Sequence, residues 1–246
     1  MKTEYTDSQY SSNYPDGVEN HWWNLVRNRF IHRMLRAIDP PMPAVIEIGC
    51  GRGVVVGYLR EKDVDCSGVE LAAVEPMRDA ARHVRTGISA FDLPAAERAR
   101  YEVVLLLDVL EHLPEPREFL AQVLEHFPNA RKLIITVPAR PELWSNYDEH
   151  YGHFLRYTIK QLEQMMIGLR LRPESAGYFF HALYLPAWLL AKFKRDRATE
   201  VVAPQGWKRL AHRFIAFLLM MDAALLPSKL PGSSAYAVCD IERAPA

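Results

Sequence analysis

Cysteine is scarce in this chain: Cys50, Cys66 and Cys239 are the only three in 246 residues. Three thiols cannot all pair, and none stands at metal-ligand spacing. That excludes a disulfide framework and the three-cysteine cluster motif of radical enzymes, and it predicts a reduced, cytoplasmic setting. Net charge is also missing, because 30 Lys and Arg cancel 30 Asp and Glu. With no basic tract, nothing steers the whole molecule toward nucleic acid, and a nucleic-acid partner is disfavoured. The first twenty residues are polar and acidic, without the apolar core of a secretory signal. The apolar stretch from Phe214 to Leu226, broken by Asp222, is shorter than the roughly 20 residues a membrane span needs. There is no internal repeat and no low-complexity tract.

What is present is organised around Val45-Ile-Glu-Ile-Gly-Cys-Gly-Arg-Gly53. A short apolar run ends near Glu47, and Gly49, Gly51 and Gly53 follow at alternate positions. The run reads as a buried strand and the glycines as a tight turn opening a helix, whose first N–H groups would face a ligand. The third glycine comes one residue too early for the dinucleotide fingerprint, and no Lys-Ser/Thr follows for a P-loop. An acidic residue followed by G-x-G-x-G resembles motif I of the class I S-adenosylmethionine (SAM) methyltransferases. The resemblance implies SAM as cofactor and S-adenosylhomocysteine (SAH) as product. It also implies that Glu47 faces the methionyl ammonium and that Gly49, Cys50, Gly51 and Gly53 line the cofactor.

Taken in order, residues 1–17 read as an irregular lead-in, with Tyr5, Tyr10 and Tyr14. Apolar residues then recur at helical spacing from Val18 to Ile38, until Pro40, Pro41 and Pro43. Trp22-Trp23 followed by Arg27-Asn28 resembles the N-terminal helix of one methyltransferase subgroup, which implies that Trp22 and Trp23 border the substrate; packing on the sheet edge is the competing reading. Val64–Glu70 reads as a second strand. Glu70 lies where an acid accepts bonds from ribose hydroxyls, with Leu71 beside it. A third strand is expected over about Thr86–Ala90. Beyond it, Asp92 resembles the motif III acid of the adenine amino group, with Leu93 at the ring. Tyr101–Leu107 is the clearest buried strand. It leads into Asp108-Val-Leu-Glu-His-Leu-Pro114, which resembles the motif IV form of a superfamily that includes the ubiquinone-pathway O-methyltransferases, and this places Asp108 and Val109 at the cofactor. Pro116 starts a helix, and Arg131–Val137 is a fifth strand.

Strands alternating with helices imply an α/β fold. We expect a Rossmann-like, doubly wound sheet of seven strands with the last antiparallel, an N-terminal helical cap, and a helical insertion before the last strand. The divisions expected are 1–43 for the cap, 44–180 for the SAM-binding core, 181–233 for the insertion and 234–246 for the last strand and tail. Thr158 and Gln161 form a capping box for a helix carrying Ile159, Leu162, Met165 and Leu169. The preceding loop resembles the same subgroup's Trp-Ser…Asp…Gly-His-x-x-Arg-Tyr run, which implies that Trp144 and Tyr157 line the mouth of the site.

Methyl transfer from a sulfonium asks the protein for alignment, and for a base if the nucleophile carries a proton. His112 is the first choice for that base and His153 the second, with His150 a weaker third. Asp108, Glu111 and His112 fall at i, i+3 and i+4; completed by His153, they offer a divalent metal site, kept as the less favoured alternative. The acceptor is expected to be a small or lipid-linked molecule, methylated at oxygen. An N- or C-methyltransferase of a small heterocycle or natural product is one alternative, and a methyltransferase-fold binding protein without catalysis is another. The 205–226 helix puts Trp207, Leu210, Phe214, Phe217, Met221 and Leu225 on one stripe beside Lys208, Arg209, His212 and Arg213. A lid on the pocket, a homodimer interface and a membrane-surface helix all fit that pattern.

Overall fold

The computed structural model describes residues 14–38 and 43–242, so the lead-in before Tyr14, Pro40 and Pro41 lie outside the described residues. A 3-10 turn, Val18–Asn20, precedes helix α1, Trp22–Arg36. The helical pattern from Val18 is thus interrupted once. His21 is extended (φ −68°, ψ 138°), and its Nδ1 accepts the Trp23 N–H at 3.3 Å, which caps α1 in place of a longer helix.

The order after α1 is β1 (Val45–Ile48), α2 (Val54–Glu61), β2 (Cys66–Glu70), β3 (Val84–Thr86), α3 (Ala95–Arg98), β4 (Val103–Leu107), α4 (Pro116–His126) and β5 (Lys132–Pro138). It continues with α5 (Asn146–His150), α6 (Ile159–Met166), β6 (Leu171–Phe179), α7 (His181–Lys192), α8 (Lys208–Leu225) and β7 (Ser234–Ile241). The seven strands lie in the order β3-β2-β1-β4-β5-β7-β6. β1 to β5 are mutually parallel, and β7 runs antiparallel to both β5 and β6. This is the Rossmann-like sheet expected, with its last strand reversed.

The local chemistry explains each boundary. β4, Val-Val-Leu-Leu-Leu, is buried at all five positions, as a parallel strand covered by helices on both faces must be. Pro116 occupies the first turn of α4, where its missing N–H costs nothing. Both hydrogen bonds of the Thr158–Gln161 capping box are present at the start of α6. The third strand comes earlier than its pattern suggested and ends at Thr86. Gly87 (φ +72°) turns the chain there, its N–H donating to Ala72 O at 2.9 Å, and Ala90 falls in a 3-10 turn instead.

One face of the sheet packs Ile46, Val104, Leu106 and Ile135 against α4 and α6; the other packs Val45, Leu105 and Ile134 against α1 and α2. A third cluster joins Val26 of α1, Phe179, Phe180 and, from α8, Ala216 and Leu219. α8 therefore approaches α1 through a small residue and one leucine. The stripe from Trp207 to Leu225 faces away from the protein. Strand order reverses between β1 and β4, and a crevice opens at that switch point, at the carboxyl ends of the strands.

Candidate active site

The crevice is a cavity of about 740 Å³, within the usual range for small-molecule sites. Its floor is the glycine turn. Gly49, Gly51 and Gly53 take φ of +77°, +54° and +84°, where an L side chain is strained. A Cβ on Gly51 would stand 2.7 Å from the Tyr14 hydroxyl, and one on Gly49 would stand 2.8 Å from Val109 Cγ2. Gly53 serves packing instead, since a Cβ there would meet Ala80 Cβ at 2.8 Å. Tyr14 is held across the turn by Arg52, whose Nη1 donates to the Tyr14 carbonyl at 2.6 Å.

Acids from three strands converge on this turn. Glu70, at the end of β2, accepts the Gly51 N–H and the Ala72 N–H, each at 2.9 Å, one on each carboxylate oxygen. These two bonds fix the carboxylate at the cavity wall, beside the glycine turn. Glu47 is 3 % exposed, and its Oε2 has no hydrogen-bond partner among the described residues. Burial pushes its carboxyl up to about 8; Arg27 opposes the shift, and Glu70 and Asp108 add to it. Asp108 follows β4 at φ +57°, a strained conformation for a non-glycine residue and of the kind concentrated at functional sites. Its N–H donates to Thr136 O at 2.8 Å.

The cation that balances these acids comes from the cap. Arg27 of α1 donates from Nη1 to Asp108 Oδ2 at 2.8 Å, and its guanidinium lies 4.2 Å from the Trp23 ring centroid. Arg27 Nε is buried without a hydrogen-bond partner among the described residues. A buried acceptor on Glu47 and a buried donor on Arg27 suit a zwitterion: the ammonium and carboxylate of an amino-acid moiety would satisfy both.

The second half of the cavity is built by the 3-10 turn Leu110–His112 and by α5 with the loop that follows it. His153 Nδ1 is 2.9 Å from Asp148 Oδ1, and Arg156 Nε donates to the same oxygen at 2.8 Å. Burial pushes the fully enclosed Asp148 carboxyl up. Hydrogen bonds from His153 and Arg156, together with the Arg156 charge, outweigh it and hold Asp148 below its ordinary value. The rings of His112 and His153 meet edge to face at 4.8 Å. Burial, and then the neighbouring His153, push His112 down to about 3 against a hydrogen bond with the Tyr151 backbone. Glu111 is raised well above its ordinary value, first by burial and then by Asp108. Glu111, His112 and His153 each offer a ligand atom within 4.8 Å of the others. Asp108 is not part of that set; its Oδ2 is engaged by Arg27.

Most residues singled out in the sequence meet here. Trp22, Trp23, Gly49, Gly51, Glu70, Leu71, Asp108, Val109, His112 and His153 all line the cavity. Glu47 and Cys50 do not: Glu47 is buried within β1, and the Cys50 sulfur packs where a Cβ on Gly68 would fall, 2.7 Å away. Asp92 is exposed and Leu93 joins the core, while Ser89, Ala90 and Phe91, just before them, form the wall. Tyr157 is buried beneath the site, its hydroxyl donating to Leu110 O at 3.0 Å, and Trp144 lies outside the lining. Tyr147 and Tyr151 of the same loop take their place, with Arg197 over the Tyr147 ring at 4.8 Å. Arg27, Asp148 and Tyr14 stand in the sequence only as members of longer runs, with no role of their own. The first two left a trace in their spacing, with Trp23 and Arg27 one helical turn apart and Asp148 five residues before His153.

A seven-stranded sheet with its last strand reversed, a glycine turn after β1 and acids at successive strand ends define a class I SAM-dependent methyltransferase. Residues 22–171, more than half of the chain, match the methyltransferase-domain family, and the protein belongs to it. Among curated proteins, the ubiquinone biosynthesis O-methyltransferase of Burkholderia pseudomallei (strain 1710b) is 24% identical over 184 residues, which cover 71% of this chain and 72% of that one. Among solved structures, a SAM-dependent methyltransferase from Archaeoglobus fulgidus aligns with a TM-score of 0.53 at 15% identity, over 94% of this chain and 97% of the other. The geranyl diphosphate C-methyltransferase of Streptomyces coelicolor A3(2) gives 0.53 at 15% identity, over 88% and 75%. Likeness at that identity bears on the fold alone.

Proposed function

We propose that this enzyme methylates an oxygen of a small or lipid-linked acceptor, with His153 as the base. The observation that carries the reading is the Asp148–His153 pair, 2.9 Å apart, at the cavity wall beside the motif IV turn. SAM, when bound, supplies a methyl group already activated by its positive sulfur. We assign its methionyl ammonium to Glu47, its carboxylate to Arg27, its ribose to Glu70, and its adenine to the wall around Leu71 and Phe91.

Asp148 fixes the His153 ring and its tautomer, with Nδ1–H donating and Nε2 left to receive a proton from the acceptor hydroxyl. Loss of that proton to His153 would leave the acceptor oxygen able to take the methyl group that SAM would supply, with SAH as the second product. His112, first choice on motif position alone, is too weak a base when held near 3; it shapes the pocket beside His153. Trp22, Trp23, Tyr147 and Tyr151 form an aromatic wall for the acceptor. The name of the Burkholderia relative supports oxygen as the accepting atom. The buried, unpaired cysteines support the reduced, cytoplasmic setting.

The test is to incubate the enzyme and its His153→Ala variant with SAM and a panel of hydroxylated acceptors, and to follow a mass gain of one methyl group. Product formed by the parent enzyme and lost in the variant, with SAH affinity retained, is the expected result. A second reading rests on the Glu111, His112 and His153 donor set, which suits a divalent cation that would lower the pKa of an acceptor hydroxyl. Chelation separates the two: activity that survives it belongs to the base alone.

A further inference from the structure

Helices α7 and α8 carry a face that no described residue covers. On α8, Trp207, Leu210, Phe214, Phe217, Met221 and Leu225 are between 40 % and 75 % exposed and repeat every three or four residues along one side. On α7, Leu185, Leu189 and Phe193 repeat every four residues and are also exposed. Lone exposed apolar residues are ordinary, but a repeating row along each of two consecutive helices marks a contact surface.

Charge identifies the occupant. The 181–233 segment holds eight Lys and Arg against three Asp and Glu, although the whole chain balances at 30 and 30. Lys208, Arg209 and Arg213 flank the α8 stripe and are exposed, as are Lys192, Lys194 and Arg195 at the end of α7. Of the three acids, Asp222 already accepts the His181 N–H at 2.9 Å. Two copies packed face to face would bring these cations together with little to offset them, whereas an anionic lipid surface matches the apolar stripe and its basic flank at once. No helix among the described residues is long and apolar enough to cross a membrane, so α8 would lie in the interface.

We infer that the α7–α8 face docks the enzyme on an anionic lipid surface. The link between the two helices forms part of the active-site wall, through Arg197, Thr199 and Val201. The docked segment thus adjoins the cavity, and an acceptor carried in the bilayer would be presented there; that consequence, unlike the docking, rests on the methyl-transfer reading.

Co-sedimentation with phosphatidylglycerol–phosphatidylcholine vesicles, against vesicles of phosphatidylcholine alone, tests the inference. The parent protein should pellet with the anionic vesicles and release as salt rises. Leu210→Glu/Phe214→Glu/Phe217→Glu, all surface changes, should abolish binding. Lys208→Glu/Arg213→Glu should weaken it by at least about ten-fold. No binding to anionic vesicles, or binding that neither variant alters, overturns the proposal. So does light scattering that shows a dimer which the triple variant dissociates, because the face then belongs to a second copy. SAH titrations on the same samples keep the readings apart: vesicle binding without SAH binding would sink the reaction and leave the docking intact.

Discussion

The carboxyl edge of the sheet and the α7–α8 segment are built on opposite plans. At the sheet edge, Glu47, Glu70, Glu111 and Arg27 are charged or titratable and nearly enclosed. In the α7–α8 segment, Trp207, Leu210 and Phe214 are apolar and exposed. Each region reverses the ordinary rule of burial, and each reversal carries a cost the fold does not recover by itself. An enclosed carboxyl without a partner is held protonated, and an exposed aromatic stripe stays in water. Such arrangements make sense when something outside the chain completes them: a zwitterionic cofactor in the first case, a surface in the second.

The largest expected effect that would sharpen this contrast is catalytic. His153→Ala should lower kcat by about 10²- to 10⁴-fold, the usual worth of a positioned base, with SAH affinity unchanged in a calorimetric titration. If affinity collapsed instead, His153 would belong to the cofactor region. Arg27→Met comes next. It should weaken SAH binding by about 2–4 kcal/mol and also lower the melting temperature, because Asp108 loses its partner at 2.8 Å. The double variant Arg27→Met/Asp108→Asn should recover stability without recovering affinity. Recovery of both would reduce Arg27 to a structural role.

How far these positions could be foreseen depends on the kind of signal each leaves. β1, β4 and the glycine turn are local, and their patterns follow from burial on both faces and from positive φ, so fold and floor were legible. Asp92 and Leu93 fall outside the cavity lining because the chain turns at Gly87, earlier than its apolar pattern ends, and the wall falls on Phe91. Arg27 and Asp108 lie 81 residues apart. No periodicity links a cap helix to a strand end, so their ion pair needed coordinates. The α8 stripe was visible as a stripe, but a pattern cannot say which side faces the protein. Ala216, small enough for close approach, decided that.

The α7–α8 side of the comparison can be broken by stability measurements. Leu219→Ala, on the covered side of α8, should cost about 2–4 kcal/mol in denaturant unfolding, as core leucines do. Phe214→Ala, on the outward side, should stay within about 0.5 kcal/mol. Equal costs would mean that the outward face is covered in solution.

A further effect concerns protons. Burial raises Glu47 from 4.5 to about 8. Its contribution to the stability of the ligand-free fold is therefore fully present below the lower value and is lost as pH rises through the higher one. SAH affinity should run the opposite way, because an ammonium pairs with the ionised form: it should rise by up to about ten-fold per unit from roughly pH 6 to pH 8. Glu47→Gln should flatten that rise, and a profile identical to the parent's would remove Glu47 from the ammonium.

The most direct measurement is a calorimetric titration of the ligand-free protein with SAH, paired with thermal unfolding. The proposed assignment of Glu47 and Arg27 to the amino-acid end and of Glu70 to the ribose predicts a single site per chain and a higher melting temperature. No heat and no shift would contradict it.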